Sequence, residues 1–124
     1  ITRMTALEPG EILTSIKISN KWANTEYYFE KIADRDVWDF ALVSIAMVVN
    51  KSKNSIQESR IVCGGVACTP YRLNNVEDYI AGNELSEEVV NGAAKLAAKG
   101  AKTLNYNHFK IPLMENLVKR ALRS

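Results

Sequence analysis

Two apolar segments joined by a short polar turn constrain the fold of this chain more than any other feature of its sequence. Residues 41–49 are almost wholly apolar and rich in β-branched side chains, which is typical of a strand buried on both faces. A polar stretch follows at 50–55, and residues 56–63 resume an apolar strand pattern. Because parallel strands need a long crossover, so short a connection predicts antiparallel pairing, which the Gly64-Gly65 pair then ends.

The residues before this hairpin predict one further strand and leave a second segment open. After the turn signal Pro9-Gly10, residues 11–19 alternate between two faces, which predicts a half-buried strand. One face carries Ile12, Thr14, Ile16 and Ile18, and the other carries Leu13, Ser15 and Lys17. Residues 20–25 are polar and indicate a loop. Residues 27–32 fit either a short strand or a single helical turn, and the charged residues 34–36 form a bend.

Helical patterns follow Pro70. Asn75 is placed to cap a short helix that ends at Gly82, and Ser86 to cap a second, alanine-rich helix that ends at Gly100. A third helix is predicted over about 109–122, with Pro112 tolerated in its first turn. Its apolar stripe consists of Leu113, Leu117, Val118, Ala121 and Leu122.

Strands that precede helices along the chain predict an α+β fold. We expect an antiparallel sheet of three to four strands, followed by three helices packed on one of its faces. The expected organisation is a single domain over residues 1–124, with strands within 11–63 and helices within 74–123.

Composition excludes several classes of function. A net charge of +2 with 24% charged residues is too balanced to predict binding of nucleic acid or of an anionic membrane. No apolar run approaches the length that spans a membrane. Cys63 and Cys68 fit no zinc or redox motif, and two packed, reduced thiols are favoured over a disulfide between them. Reduced thiols are typical of an intracellular protein, so we expect a cytoplasmic location.

The residues taken alone predict no catalysis, because no nucleophile, base and orienting group occur together. His108, the only histidine, has no nucleophile in a motif near it. The three aspartates at 34, 36 and 39 lack the glycine and the distal glutamate of a calcium loop. Trp22 is interpreted as a surface anchor and Trp38 as a core residue.

A series of short motifs carries a resemblance to a known family. The chain resembles the C-terminal domain of the FAD-binding (medium) subunit of the molybdenum hydroxylases, the group of xanthine dehydrogenases, aldehyde oxidoreductases and aerobic carbon monoxide dehydrogenases. The residues that carry this resemblance are 5–13, 28–31, Arg35 with 39–44, Gly64-Gly65-Val66-Ala67 with Thr69-Pro70 and Arg72, and 117–122.

The resemblance implies a role in electron transfer. In this family, substrate is hydroxylated at a molybdenum centre in a large subunit, and electrons pass through the iron–sulfur clusters of a small subunit to FAD. N-terminal domains of the medium subunit hold most of the FAD through a glycine-rich motif that is absent from this chain. This domain is then expected to close one side of the flavin pocket and to help dock the other subunits, and to be inactive by itself. The alternative is a structural or dimerisation module without cofactor contact.

Two residues are implied to bind the cofactor. Leu13 matches a family leucine that lies against the flavin ring, and its alternative is an ordinary core position. Lys31 matches a family lysine that approaches the pyrimidine edge of the flavin, and its alternative is a solvated surface lysine. A cation at that edge would stabilise the negative charge of the reduced ring.

Overall fold

The fold is a four-stranded antiparallel sheet covered on one side by three helices, in a computed structural model that describes residues 5–53 and 55–124. The strands are β1 (Glu26–Ile32), β2 (Val43–Ser52), β3 (Ser55–Gly64) and β4 (Tyr71–Arg72), and they lie in the sheet in chain order. The helices are α1 (Asn74–Ile80), α2 (Glu87–Ala97) and α3 (Lys110–Leu122). This architecture confirms the predicted α+β class. The segment at 27–32, which the sequence left open, is a strand.

The sheet buries one face only. Alternate residues of β2 (Val43, Ile45, Met47 and Val49) are buried, whereas the residues between them are half-buried or exposed. Their buried side chains form one core with apolar residues of all three helices. The prediction that this strand is buried on both faces is therefore wrong. The run is apolar throughout because Ala46 and Val48 also make the outer face apolar, although the three α-helices pack on the opposite face.

The corner after β3 requires glycine. Gly65 has a φ of +75°, and a Cβ there would lie 2.8 Å from the carbonyl oxygen of Leu42. A side chain at this position would therefore collide with backbone that cannot move aside. The amine of Lys110, at the start of α3, donates a hydrogen bond to the Gly65 carbonyl at 2.7 Å. The predicted end of the ladder at this glycine pair is confirmed.

The helices begin close to where the sequence predicts, with one different cap. The Ser86 hydroxyl accepts a hydrogen bond from the amide of Val89 at 3.2 Å, as predicted for an N-cap. Pro112 lies in the first turn of α3. Asn75, however, is inside α1, and its side-chain amide donates to the Leu96 carbonyl at 2.9 Å. Its side-chain oxygen accepts a hydrogen bond from the amide of Val76 at 3.0 Å. This asparagine therefore ties α1 to the end of α2 and also bonds within the first turn of its own helix, whose N-cap position is Leu73.

The largest difference from the sequence predictions concerns residues 11–19. They are exposed and form no strand, because no strand in the described part of the chain pairs with them. A one-turn 3₁₀ helix, Asn20–Trp22, leads from this segment towards β1. β4 was not predicted and lies outside the range 11–63 in which the sequence placed strands. Residues 1–4 of the expected domain, and Asn54 in the predicted turn at 50–55, lie outside the described residues.

The cysteines are both free thiols. Burial raises the pKa of the Cys63 thiol to about 11 and keeps it in the unreactive neutral form. Cys68 is exposed, so the prediction that it is packed is wrong, because it follows the glycine corner and faces solvent. None of the helices in the described ranges is long and apolar enough to cross a membrane.

Candidate functional site

The face of the sheet opposite the three α-helices is the most distinctive surface of the domain. Trp22 packs on one end of it, with the ring centre 5.2 Å from the guanidinium carbon of Arg60. Successive strand residues alternate between faces, so strand register defines which side chains share this one. We call it the open face, and it comprises Tyr27, Phe29 and Lys31 of β1, Ser44, Ala46 and Val48 of β2, and Arg60, Val62 and Gly64 of β3. Tyr27 is 81% exposed and Phe29 is 65% exposed. Aromatic side chains this exposed indicate a surface that another group covers.

Lys31 lies at one end of the open face, beside the smallest side chains. In register it is next to Ser44, which is next to Gly64. A Cβ at Gly64 would lie 2.5 Å from the Ser44 hydroxyl oxygen, so only glycine fits without a shift. Ser44 and Gly64 therefore form a low surface beside the lysine, which we call the floor. A flat group can approach the backbone there.

The charge of Lys31 is not balanced by a direct ion pair within the described ranges. Its amine donates a hydrogen bond to the main-chain oxygen of Asp39 at 3.0 Å. By contrast, Arg60 pairs with Glu58 at 2.9 Å, and Arg72, which is next to Val62 in register, pairs with Glu77 at 2.7 Å. A cation held by a neutral carbonyl keeps its capacity to bind an anionic group.

The bend after β1 holds Asp39 in position. The Asp39 carboxylate accepts a hydrogen bond from the amide of Arg35 at 2.9 Å, and the Arg35 guanidinium donates to the Trp38 carbonyl at 2.7 Å. Trp38 is 94% exposed and has a φ of +54°, so its prediction as a core residue is wrong. Its left-handed backbone lies in the bend after β1, outside the strands of the sheet. No set of acidic, histidine or cysteine side chains in residues 5–53 and 55–124 is grouped to hold a metal ion.

Leu13, the second predicted cofactor residue, is exposed in the segment 11–19. Among the described residues, no hydrogen bond joins residues 11–18 to the sheet. Leu13 and Lys31 therefore lie on separate elements, and this structure does not bring them together in one built site. His108 is exposed in the connection before α3.

A buried carboxylate, which the sequence reasoning missed, supports the far edge of the sheet. Glu77 of α1 accepts hydrogen bonds from the amide of Ile61 at 2.8 Å and from the Arg72 guanidinium at 3.0 and 2.7 Å. Burial opposes ionisation, but the hydrogen bonds from Arg72 and from the Ile61 amide outweigh it and hold the pKa of Glu77 below its usual range. Its position beside Val76, on the buried stripe of α1, is the sequence signal that a charged residue there has a partner.

Lys119, Arg120 and Arg123 form a basic cluster at the end of α3, and two of them form ion pairs within the domain. Arg120 pairs with Glu30 of β1 at 2.8 Å, and Arg123 pairs with Glu87 of α2 at 2.6 Å. These arginines hold elements of the domain to one another. The hydroxyl of Tyr28 donates to Glu30, and this hydrogen bond, together with burial, raises the pKa of Tyr28.

Comparison with known proteins gives a consistent set of similarities. The family model of the CO dehydrogenase flavoprotein C-terminal domain matches residues 27–124. The carbon monoxide dehydrogenase medium chain of Hydrogenophaga pseudoflava is 30% identical over 127 aligned residues, which cover 99% of this chain and 44% of that protein. The aldehyde oxidoreductase FAD-binding subunit PaoB of Escherichia coli strain K12 is 33% identical over 69 residues, which cover 56% of this chain and 20% of that protein.

A solved structure shows the same fold. The carbon monoxide dehydrogenase from Hydrogenophaga pseudoflava, in a form that lacks the Mo-pyranopterin moiety of the molybdenum cofactor, superposes with a TM-score of 0.73 and 28% identity. The superposition covers 82% of this chain and 36% of that chain. This chain spans less than half the length of the relatives it matches along nearly its whole length.

Proposed function

Because this chain belongs to the CO dehydrogenase flavoprotein C-terminal domain family, we propose that it serves as the C-terminal domain of the FAD-binding medium subunit of a molybdenum-hydroxylase-type oxidoreductase. In this role it closes one side of the flavin pocket. The remaining domains of the same subunit hold most of the FAD, because this chain has no glycine-rich loop to cradle its phosphates. The molybdenum-binding large subunit and the iron–sulfur small subunit are its proposed partners in the enzyme.

The observation that carries this proposal is the environment of Lys31 on the open face. Among the described residues, the amine of Lys31 donates to a neutral carbonyl at 3.0 Å and forms no direct ion pair. Ser44 and Gly64 are its successive neighbours in register. A planar ring has room over this floor, and the amine lies at its edge. When bound, FAD supplies the two-electron redox chemistry, and the reduced ring is anionic. The amine of Lys31 would stabilise that negative charge and so favour reduction.

The exposed aromatic side chains on the open face support the proposal that another part of the subunit covers this face. Tyr27 and Phe29 precede Lys31 on the same face of β1, and Phe29 is next to Ala46 and Val62 in register. This apolar surface would be shielded when the rest of the subunit docks on it. Leu13 is proposed to contact the flavin ring from the segment 11–19, where its side chain is exposed.

Substitution of Lys31 in the complete FAD-binding subunit tests the proposal. We expect Lys31→Ala to make the two-electron reduction potential of the bound FAD more negative by about 20–40 mV, which corresponds to roughly 1–2 kcal/mol. The physical reason is that the reduced, anionic ring loses a neighbouring cation, whereas the neutral oxidised ring loses little. The potential is measured by redox titration of the flavin absorbance, with flavin content determined in parallel.

Two further variants make this test specific. Lys31→Arg keeps the charge and should restore most of the potential. Lys53→Ala removes an exposed lysine in the turn between β2 and β3, away from the Lys31 end of the sheet, and should leave the potential unchanged. If Lys31→Ala alters neither potential nor flavin content, Lys31 is an ordinary surface lysine and the alternative of a structural or dimerisation module gains support.

A further inference from the structure

The charges of this chain are unevenly distributed along its sequence. Residues 89–114 contain four lysines and no acidic residue, so this stretch carries a formal charge of +4. Because the whole chain carries +2, the remaining residues together carry −2. The four lysines are Lys95, Lys99, Lys102 and Lys110. A local excess of one sign raises the potential over one part of a surface and attracts groups of the opposite charge.

Three of these lysines line a groove beside the corner that follows β3. The groove has two adjoining parts of about 240 Å³ and about 70 Å³, which share Val66, Ala101 and Met114 as lining residues. Lys99 lines the larger part, and the next two lysines along the chain line the smaller part. Among the described residues, no acidic side chain lines either part. We call this site the basic groove, and its three lysines the rim.

The ammonium groups of the rim have no acidic partner within residues 5–53 and 55–124. Lys110 donates a hydrogen bond to the main-chain oxygen of Gly65 at 2.7 Å, and neither Lys99 nor Lys102 forms an ion pair there. The two arginines at the end of α3, by contrast, pair with glutamates of the same domain. The rim is therefore available to an anionic partner from outside the domain.

The connection between α2 and α3 fixes the shape of the groove. The amide of Ala101 donates to the carbonyl of Ala98 at 3.1 Å. The side-chain oxygen of Asn107, which lines the smaller part, accepts a hydrogen bond from the amide of Leu104 at 2.6 Å. A site that is ordered before binding loses little conformational freedom when its partner arrives.

The size of the groove favours one class of anionic partner. Pockets that enclose a small molecule usually have volumes of about 300–1,000 Å³, and the larger part of this groove is smaller than that. Binding of nucleic acid relies on many phosphate contacts, whereas three lysines border an apolar groove here. An acidic segment of polypeptide that inserts one apolar side chain matches both the size of the groove and the charge of its rim.

The position of the groove indicates which chain supplies this segment. Ala97 of α2 and Met114 of α3 line the groove and belong to the core between the helices and the sheet, so the groove lies on the helix side. The proposed function places the flavin and the rest of the same subunit against the open face, on the other side of the sheet. A segment in the groove therefore comes from a different subunit.

We propose that the basic groove receives an acidic segment of a partner subunit. One apolar side chain of that segment lies over Val66 and Met114, and its carboxylates lie beside Lys99 and Lys102. The inference rests on the proposed function for the existence of partner subunits, and it does not depend on any contact between this chain and FAD. Charges at such a rim act mainly on the rate of association, and the apolar contact acts mainly on the rate of dissociation.

Charge reversal at the rim tests the electrostatic part of the proposal. In the reassembly of the complete FAD-binding subunit with its two partner subunits, followed by light scattering, Lys99→Glu and Lys102→Glu should each slow association by about fivefold or more at low salt. The effect should shrink to about twofold or less at 0.5 M salt, because salt screens exposed charges. Lys53→Glu, at an exposed lysine in the turn between β2 and β3, is the matched control and should leave the rate unchanged.

Filling the groove tests the apolar contact separately. Ala101 is exposed and lines both parts, so Ala101→Trp fills the groove without altering a charge or a core side chain. We expect this variant to dissociate from the assembled enzyme about tenfold faster or more, at low and at high salt alike. Ala81→Trp, at an exposed alanine after α1 that lies outside the groove, is the control for adding an indole ring and should leave the rate unchanged.

Modification of lysine amines by acetic anhydride, read by mass spectrometry, identifies the chain that covers the groove. Lys99 and Lys102 should react more slowly in the assembled enzyme than in the complete subunit alone. Equal protection in the complete subunit alone would show that the segment belongs to the same subunit and would overturn the inference. Groove variants that assemble like the unsubstituted subunit and retain FAD would also overturn it, and the proposed function would stand. If the unsubstituted subunit does not assemble with these partners, the proposed function fails and this inference fails with it.

Discussion

Replacing Glu77 with alanine is expected to lower the free energy of unfolding of this chain by about 3 kcal/mol. The substitution leaves the amide of Ile61 without its acceptor and leaves the Arg72 guanidinium without its carboxylate. Glu77→Gln keeps an oxygen that accepts from the amide but loses the charge, so its cost should be about 1 kcal/mol. Urea unfolding of the three proteins, followed by circular dichroism, measures both differences.

Asp78 supplies the matched control for this test. It neighbours Glu77 on α1 but is exposed, so Asp78→Ala should change the free energy of unfolding by no more than about 0.5 kcal/mol. Equal effects at the two positions would show that the buried hydrogen bonds of Glu77 do not support the sheet edge.

The depressed pKa of Glu77 also predicts how the effect depends on pH. A carboxyl whose pKa is lower in the folded state stabilises the protein above its unfolded pKa, about 4.3 for glutamate, and loses that contribution as the pH falls through its folded pKa. Glu77→Gln resembles the protonated form. The difference in stability between the unsubstituted protein and this variant should therefore be largest near pH 7 and should shrink below about pH 4. A difference that is constant down to pH 3 would contradict the assignment.

Among substitutions that add one methyl group to this domain, Gly65→Ala is expected to be the most destabilising. It should lower the free energy of unfolding by about 3 kcal/mol. Part of the cost arises from the φ of +75°, and the rest arises because the new Cβ would lie 2.8 Å from the Leu42 carbonyl oxygen. Gly82 separates these two contributions, because it has the same φ but nothing within 4 Å of its Cβ position. Gly82→Ala should therefore cost only about 1 kcal/mol.

The measurement is a urea titration of both variants beside the unsubstituted chain. If the two alanines cost the same, the close approach at the corner after β3 is absent in solution. If Gly65→Ala lowers the free energy of unfolding more than Gly82→Ala does, the tight corner after β3 also fixes the floor formed by Ser44 and Gly64. The variant should then also weaken flavin binding in the complete subunit.

The parts of the fold that local patterns determine were predictable from sequence. The β2–β3 hairpin follows from two apolar runs and a short turn, and the Ser86 cap follows from its side chain and the first turn of α2. Which faces are covered was not predictable. The apolar outer positions Ala46 and Val48 and the alternating isoleucines of 11–19 carry the pattern of burial, but Ala46 and the isoleucines are exposed in the described structure and Val48 is only half-buried. Sequence periodicity predicts that such side chains are buried, but it does not identify the surface that buries them.

The candidate site, like the fold, was predictable from the sequence only in part. The resemblance selected Lys31 as a residue, but its neighbours Ser44 and Gly64 come from strand register, which the ambiguous segment 27–32 did not specify. If residues 27–32 are taken as a strand, the alternation of Tyr27, Phe29 and Lys31 places all three side chains on one face. Glu77 was missed because its partners come from β3 and β4, and β4 is a two-residue strand with no periodicity to read.

The order of strands in the sheet has a consequence for how this domain is made. Each strand pairs with its neighbour in the sequence, so every ladder of the sheet closes over a short stretch of chain. Contacts of this kind form quickly, because little loop entropy is lost before they are made. During synthesis the sheet can assemble as soon as Arg72 has left the ribosome, and the helices that follow then cover its inner face. The order of synthesis therefore matches the order of the layers, with the sheet made first and the helices that cover its inner face made second.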